Sequence, residues 1–315
     1  MLPERVTSQT TLNSSGIKTL TFSCKIDLET GNISDHQIRN GIINNLSHFT
    51  YEEAEIQKNS DFELLKRIRE AHLKFRNSNG HLNFSFPRGL AQFDPEKKKI
   101  LVKLDDHDLL MKKVVAEMMI IAGRIAGEYL KEHKICGPFR NHICNICEFG
   151  DSILEKYEVL KGVQNASIDF IPRKHESMGL DVYVKVTSPL RRYLDLVTHK
   201  ILKQKYTGVY GKNWFENNLE SIHRQELYNK RLATNVNRYW IEKFIWQQEK
   251  ENPDQIWTLT PLEKLKDDLW MVQVNEVQNN FMVAMKSKKL DLGENFKSKI
   301  VGKAYETFMK FEPIK

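Results

Sequence analysis

Apolar and polar residues alternate most regularly near the start of the chain. Between residues 17 and 26 apolar side chains occupy every second position: Leu20, Phe22, Cys24 and Ile26. A period of two is typical of a half-buried strand, and the turn-forming sequence Glu29-Thr-Gly-Asn32 follows directly, so this segment is predicted to be a β-hairpin. A second hairpin is predicted over residues 81–104, where Leu-Asn-Phe-Ser-Phe and Lys-Ile-Leu-Val-Lys-Leu flank a stretch with proline and glycine.

Apolar residues at helical spacing predict the helical part of the fold. In residues 51–76 they recur among many charges, which indicates one or two amphipathic helices. Residues 108–134 are apolar on almost every side, as in a helix that packs against several neighbours. Two further helices are predicted, from Pro189 to about Tyr206 and from about Phe215 to Gln248.

The end of the chain returns to short alternating runs. They are Trp270, Val272 and Val274, then Phe281, Val283 and Met285. Polar turns separate them, which is typical of a small antiparallel barrel. Because Glu251-Asn-Pro-Asp254 marks a break before them, we predict two domains, residues 1–252 and 253–315. The predicted class is α+β, with a mixed sheet and packed helices followed by a small β-barrel.

Charge adds a preference for a polyanionic partner. The chain has 48 Lys and Arg against 41 Asp and Glu, a formal net charge of +7 and a sequence pI near 9.0. Such an excess favours nucleic acid over an acidic small molecule, although a basic surface without a partner accounts for it as well. Hydrophobic content of 40% and a mean hydropathy of -0.52 are ordinary for a globular protein. Since no run of eighteen apolar residues occurs, no membrane segment is predicted.

Two groups of residues have the look of metal ligands, and neither is interpreted as a site. Cys144 and Cys147 have the spacing of a metal knuckle, but a second such pair at the usual distance is missing. Acids directly before the central helix are interpreted as caps of its first turn: Asp105, Asp106 and Asp108. The sequence therefore predicts no metal site. Four cysteines without a secretory segment indicate reduced thiols and an intracellular protein.

The stretch with the most chemical information is Val186-Thr-Ser-Pro-Leu-Arg-Arg-Tyr-Leu-Asp-Leu-Val-Thr-His199. Ser188 and the following proline predict a helix start, with the serine hydroxyl as the cap. Arg191 and Arg192 would then lie in the first turn, where the helix dipole disfavours a cation by roughly a few tenths of a kcal/mol. A bound phosphate would offset this, whereas the alternative is a surface pair between Arg191 and Asp195 worth about 0.2–0.5 kcal/mol. The residues alone leave both interpretations open.

Glu117 is a carboxylate within the apolar run 114–122. Burying such a charge alone costs several kcal/mol, so it must be paired, protonated or exposed at a cleft. One interpretation is an ion pair with Lys113, one helical turn earlier. The other is a hydrogen bond with a ligand hydroxyl, such as the 2′-OH of a ribose, which distinguishes RNA from DNA.

These motifs resemble the RNB domain of ribonuclease II-type exoribonucleases. The resemblance covers residues 1 to about 250 and rests on ordered landmarks: Met1-Leu-Pro-Glu4 with Ser8, Leu20-Thr-Phe-Ser23, Tyr51-Glu-Glu-Ala54, Glu117-Met-Met-Ile-Ile-Ala122, Gly137-Pro-Phe-Arg140 and His175 to His199. Residues 179–192 are most similar to the fungal mitochondrial branch of the family, which works with an RNA helicase. Gly123 departs from relatives that often carry asparagine at this position.

The resemblance implies 3′-to-5′ degradation of single-stranded RNA to nucleoside monophosphates. It places Arg191, with Arg192 beside it, at the phosphate near the scissile bond as the expected catalytic residues. It also implies that Tyr51 and Glu117 hold the 3′-terminal ribose. The end of the chain corresponds in position to the OB-type RNA-binding barrel of the family.

Three further residues of the matched stretch are expected to contact RNA: Ser188, Tyr183 and His175. In the family, magnesium is held by an aspartate cluster upstream of the Met-Leu-Pro-Glu segment, where this chain begins. We therefore expect a truncated exoribonuclease without that metal site, which would be a poor nuclease alone.

Two alternatives stay open. One is a non-catalytic RNA-binding protein that retains the RNB fold, and the other is a helical scaffold without a role in RNA. The expected partners are single-stranded RNA and an RNA helicase, with no membrane. The expected compartment is intracellular, and the resemblance to the fungal branch suggests the mitochondrion.

Overall fold

The computed structural model of the chain describes residues 2–12, 16–82, 88–104, 109–144, 150–203, 209–285, 290–301 and 308–314. Contacts group the chain into two compact units. The first comprises residues 1–83, 108–147 and 164–225, and the second comprises residues 84–107, 148–163 and 226–315. The domain boundary expected after residue 252 stays a prediction.

The described residues alternate between helices and strands. In chain order the elements are α1 (Glu4–Thr7), β1 (Ile17–Ile26), β2 (Ile33–Ile43), α2 (Tyr51–Glu55), α3 (Ser60–Ser78), β3 (Gly89–Asp94), β4 (Lys99–Leu104), α4 (Leu110–Glu132), β5 (Phe139–Asn141), α5 (Ile153–Gly162), β6 (Ser167–Asp169), α6 (Tyr193–Leu202), α7 (Lys212–Glu251), β7 (Trp257–Lys266), β8 (Leu269–Val274), β9 (Asn279–Ala284), β10 (Phe296–Val301) and β11 (Met309–Pro313). The predicted α+β class is confirmed. No described helix is long and apolar enough to cross a membrane.

The first predicted hairpin is confirmed as β1 and β2. The two strands pair antiparallel from Ile17 opposite Ile43 to Ile26 opposite Ile33. Gly31 in the connecting turn has a φ of 72°, and a Cβ atom there would collide with the backbone carbonyl of Ala71 in α3. A glycine is required because the turn is left-handed and packs closely against that helix.

The second hairpin differs from the prediction in its first strand. The later strand is β4 as predicted. The predicted first strand, Leu-Asn-Phe-Ser-Phe, lies at residues 82–86, of which 83–86 lie outside the described residues. β4 pairs with β3, and the turn between these two strands explains the pairing. A side-chain oxygen of Asp94 accepts hydrogen bonds from the backbone N–H groups of Glu96 and Lys97, which closes a tight turn directly after Asp94.

The amphipathic and central helices lie close to their predicted positions. α2 begins with a capping box in which Thr50 and Glu53 satisfy each other's backbone N–H groups, and α3 begins at the cap Asn59. α4 is buried over much of its length, as its all-round apolar pattern predicts. The acids expected to cap it lie outside the described residues, and Leu109 at its cap position makes no side-chain cap.

The C-terminal strands form the predicted OB-type barrel. The barrel is closed in the order β10-β11-β9-β8-β7, all pairs antiparallel except β11 with β9. Its interior holds the alternating apolar residues of the sequence pattern together with aromatic side chains, among them Trp257, Trp270, Phe281 and Phe311. The break predicted at residues 251–254 is confirmed, because α7 ends at Glu251.

Candidate functional site

The most informative sequence stretch forms a turn followed by a helix. α6 begins at Tyr193, four residues later than predicted from the Ser-Pro pair, and ends at Leu202. Residues 188–192 form a turn, in which the backbone N–H groups of Arg191 and Arg192 donate to the carbonyl of Ser188 at 3.2 and 3.0 Å. We call residues 188–192 the arginine turn. Its arginines therefore precede the helix and do not lie in the first helical turn.

The buried carboxylate of Asp195 explains why the helix starts late. It accepts a hydrogen bond of 2.9 Å from the backbone N–H of Ser188 and lies 3.6 Å from the guanidinium of Arg192. Asp195 is fully buried, and both contacts are made by its Oδ2, whereas its Oδ1 has no hydrogen-bond partner among the described residues. Contrary to the prediction, the hydroxyl of Ser188 therefore does not cap this helix. Asp195 holds the backbone of Ser188 instead.

Two further hydrogen bonds hold the backbone around the arginine turn. His199 donates from Nε2 to the carbonyl of Val186 over 2.7 Å, and the backbone N–H of Leu2 donates to the carbonyl of Leu190 over 2.9 Å. The turn is thus fixed at both ends and at its middle. Arg191 is exposed on it, and the ion pair with Asp195 is made by Arg192, not by Arg191 as one interpretation had it.

An apolar groove in the first unit ends beside this turn. Its volume is about 450 Å³, and Thr187, which directly precedes the arginine turn, forms part of its wall. The aromatic residues Phe49 and Tyr51 line it and remain 47% and 42% exposed. The floor comes from one side of α4: Val114, Val115, Met118, Met119 and Ala122. We call this cavity the aromatic groove.

Glu117 lies in a buried ion network and is absent from the lining of the aromatic groove. Its carboxylate accepts a hydrogen bond of 2.6 Å from Nδ1 of His72 and two from Arg76, at 2.8 and 3.1 Å. Arg124 donates to Nε2 of His72 at 3.3 Å and pairs with Glu128 at 2.8 Å. The partners of Glu117 are thus His72 and Arg76, and not Lys113 as one interpretation had it.

The network fixes the ionised form of Glu117. Burial raises the pKa of a carboxyl group, but the hydrogen bond from His72 and the charge of Arg76 outweigh it, so the pKa of Glu117 lies below its ordinary value. Two nitrogen atoms, Nδ1 of His72 and Nη1 of Arg76, already make three hydrogen bonds to this carboxylate. Its contact with a ribose stays a prediction, and the structure does not bring it into the groove beside Tyr51.

Tyr183 and His175 are also packed inside the first unit. Their rings meet edge to face at 5.8 Å, and a Cβ atom on Gly123 would collide with the ring of Tyr183, which gives the glycine at this position a structural reason. Burial, followed by the neighbouring His142 and Arg140, lowers the pKa of His175 to about 3. The imidazole is therefore neutral near pH 7 and offers no charge to a phosphate. RNA contacts of Tyr183 and His175 stay predictions.

The described residues do not supply a metal site. Among them no group of three or more His, Cys, Asp or Glu side chains is placed to hold an ion. Cys147 and the acids at 105–108 lie outside the described residues.

Sequence patterns missed several residues of this region. Asp195 looks like a surface acid of an amphipathic helix but is fully buried, and His72 and Arg76 look like the polar face of α3 but surround Glu117. Phe49 belongs to no motif or periodic run in the sequence that would single it out. One sequence motif could have located part of the groove. Thr50 and Glu53 have capping-box spacing, which places Tyr51 in the first turn of a helix.

Comparisons with known proteins agree with this fold. Residues 1–158 and 145–208 match the family model described as RNB domain. An uncharacterized ribonuclease of Synechocystis is 26% identical over 265 residues, which cover 79% of this chain and 39% of that protein. The mitochondrial exoribonuclease II of Saccharomyces cerevisiae is 26% identical over 307 residues, covering 81% of this chain and 31% of that protein. The chain spans less than half the length of either relative.

A solved structure shares the architecture at low identity. Mycoplasma genitalium RNase R, in complex with ribose-methylated single-stranded RNA, has a TM-score of 0.82 and 15% identity, over 99% of this chain and 60% of that chain. This likeness shows the fold. The family match covers more than half of the chain and includes the arginine turn and α6. The chain belongs to the RNB family.

Proposed function

We propose that the chain binds single-stranded RNA in the aromatic groove and at the arginine turn, as part of a 3′-to-5′ exoribonuclease that degrades RNA. One observation carries the proposal. The arginine turn is held by Asp195, His199 and Leu2 and presents an exposed Arg191. The turn directly follows Thr187, a residue of the groove wall.

The chemistry of the two features is complementary to a nucleotide strand. Phe49 and Tyr51 keep ring surface exposed in the groove, and stacking of a base on an aromatic ring contributes about 1–3 kcal/mol. The guanidinium of Arg191 is exposed, and its fork of N–H donors matches a phosphate. A bound strand would stack its bases on the aromatic rings of the groove and place a phosphate at the guanidinium of the arginine turn.

The wider properties of the relatives support a more detailed proposal. The yeast relative is named a mitochondrial exoribonuclease, and the Mycoplasma structure holds single-stranded RNA. We propose a mitochondrial role in RNA degradation, with magnesium as the metal of the whole enzyme and an RNA helicase as a partner. If a fluorescent fusion of the whole gene product localised outside mitochondria, the proposed mitochondrial compartment would be wrong.

Binding of a labelled RNA tests the central part of the proposal. Fluorescence anisotropy of a uridine oligomer of about twelve nucleotides, within the range of known single-strand sites, gives the affinity of the 315-residue chain. We expect Arg191→Ala to weaken binding by about tenfold and to reduce the slope of log K against log salt concentration by about 0.7, the value for one lost phosphate contact.

The matched control is Arg39→Ala. Arg39 is an exposed arginine of β2, so the variant removes the same charge away from the groove and the turn. It should bind RNA within about twofold of the unchanged chain. Equal losses in both variants would show that Arg191 contributes only to the net charge, and the proposed site would be wrong.

A second candidate is a non-catalytic RNA-binding protein. It is favoured by the finding that the part of the chain described by the structure has no group of metal ligands. The two candidates differ when a 5′-labelled RNA is incubated with the pure chain and magnesium. Stepwise shortening that Arg191→Ala abolishes would exclude the second candidate, whereas salt-sensitive binding with intact RNA supports it.

A further inference from the structure

The short helix α2 carries Tyr51, one of the two exposed aromatic residues of the aromatic groove. α2 has five residues, whereas an isolated helix needs roughly 12–15 residues to be even marginally stable in water. Its buried residue is Ala54, which shares a core cluster with Met111 and Val114 of α4. Burial of one methyl group holds a helix only weakly, so the position of Tyr51 depends on further contacts of α2.

Glu55, the last residue of α2, connects this helix to α4. Its Oε2 atom accepts a hydrogen bond of 2.9 Å from the backbone N–H of Met111. Met111 is the second residue of α4, and the first N–H groups of a helix have no acceptor within that helix. Leu109 at the cap position of α4 makes no side-chain cap. Glu55 therefore supplies, from another helix, the acceptor that a capping residue normally provides, and its negative charge suits the positive end of the α4 dipole.

The other contacts around α2 do not replace this connection. The capping box of Thr50 and Glu53 is internal to the start of α2, so it sets where the helix begins without attaching it to α4. Phe49 is held separately, because its ring meets the ring of Phe62 in α3 edge to face at 5.5 Å. The hydrogen bond from Met111 to Glu55 thus bears on the position of Tyr51 and not on that of Phe49.

We propose that Glu55 is a positioning residue of the aromatic groove. By capping α4 it holds α2 so that the ring of Tyr51 stays in the groove wall and is available to a base. The proposal rests on the proposed RNA-binding function and adds to it the residue that orients one wall of the groove. Glu55 is absent from the lining of the groove, and its carboxylate would repel a phosphate, so it acts through Tyr51 and not by contact with RNA.

Anisotropy of the same labelled uridine oligomer tests this role in the full chain. We expect Glu55→Ala to weaken binding by about fivefold, the lower end of the effect of one stacked base. Glu55→Gln keeps a side-chain oxygen as acceptor for the N–H of Met111 and should bind within about twofold of the unchanged chain. Thermal unfolding checks that each variant is folded. Should Glu55→Ala fail to fold, Glu55→Asp, which keeps the charge but shortens the reach to α4, takes its place.

A double variant separates positioning from a general loss of structure. If Glu55 acts through Tyr51, the double variant Tyr51→Leu with Glu55→Ala should bind as weakly as Tyr51→Leu alone, because the ring that Glu55 positions is already gone. If the two losses multiply instead, Glu55 acts elsewhere and the positioning role is wrong.

The matched control is Glu52→Ala, which removes an exposed acid from the same helix and changes the net charge equally. It should bind within about twofold of the unchanged chain, and a loss equal to that of Glu55→Ala would overturn the role of Glu55. A loss with Tyr51→Leu but none with Glu55→Ala overturns the role of Glu55 alone. No loss with either Tyr51→Leu or Arg191→Ala overturns the proposed function as well.

Discussion

The carboxylate of Glu117 shows how one residue can connect two helices. It accepts three N–H hydrogen bonds from His72 and Arg76 of α3 while its own backbone belongs to α4. Arg124 and Glu128 extend the network along α4. The two acids and two arginines of the network balance in charge, so the network bears no net charge that burial would penalise.

Removal of this carboxylate should destabilise the fold strongly. In Glu117→Gln, the guanidinium of Arg76 remains buried without its counter-charge, and breaking a buried pair costs roughly 3–5 kcal/mol. Urea unfolding at neutral pH measures the change. Glu63→Gln is the matched control, because Glu63 is an exposed acid whose pair with Lys66 is worth at most about 1 kcal/mol. Equal stabilities of the two variants would show that the network contributes nothing.

The same pair predicts a pH dependence of stability. Because the folded pKa of Glu117 lies below the ordinary glutamate value of 4.5, its contribution is fully present above about that pH. It is lost as the pH falls through the lower, folded pKa. The unfolding free energy of the unchanged chain should therefore fall more steeply in this acidic range than that of Glu117→Gln.

Sequence patterns identify such a residue but not its partners. Glu117 stands out because a charge interrupts an apolar run, and the need for pairing follows from burial alone. Its partners His72 and Arg76 lie 45 and 41 residues earlier in the chain. Helical periodicity counts both as polar-face residues, because it contains no information about which helix packs against which.

At the scale of elements, the arginine turn and α6 show a competition between a local signal and a buried contact. The Ser-Pro pair favours a helix start at residue 189. Asp195 instead binds the backbone N–H of Ser188 and places the turn before the helix. This contact buries a carboxylate completely, and a prediction from local propensity does not include it.

Asp195 is expected to position the arginine turn. In Asp195→Ala, the N–H of Ser188 and the guanidinium of Arg192 both lose their partner, so RNA affinity and the unfolding free energy should fall together, the latter by about 2–4 kcal/mol. Asp195→Asn keeps an oxygen acceptor for the N–H of Ser188. It should therefore lose less RNA affinity and less unfolding free energy than Asp195→Ala. Anisotropy and urea unfolding measure the two quantities.

The control for this series is Asp181→Ala, at an exposed acid that pairs with Lys174. It should leave RNA affinity and stability nearly unchanged. If Asp195→Ala kept full RNA affinity despite a loss of stability, the turn would not depend on Asp195 for its conformation, and the positioning role would be wrong.

Elements with a strong period were predictable, and those set by short turns were not. β1 follows from its period of two, β2 from the turn directly after it, and α4 from a run that is apolar on almost every side. β3 was not predicted, because the turn at Asp94 sets its pairing with β4, and such side-chain turns depend on one or two residues. The barrel was found from alternation alone, although its parallel pair of β9 and β11 leaves no local signal.

At the scale of the whole molecule, charge and fold favour a nucleic-acid partner. The net charge of +7 predicts that binding of RNA weakens as salt rises, with a slope of about 0.7 for each phosphate contacted. The aromatic groove with the arginine turn lies in the first unit.

Photo-crosslinking tests the central claim most directly, because it reports which residues touch RNA. A single-stranded RNA with photoreactive 5-iodouridine would be bound to the full chain, irradiated and mapped by mass spectrometry. The account predicts crosslinks to Phe49 or Tyr51 of the aromatic groove, which are lost when unlabelled RNA competes. Efficient crosslinking to other residues with none at Phe49 or Tyr51 would contradict it.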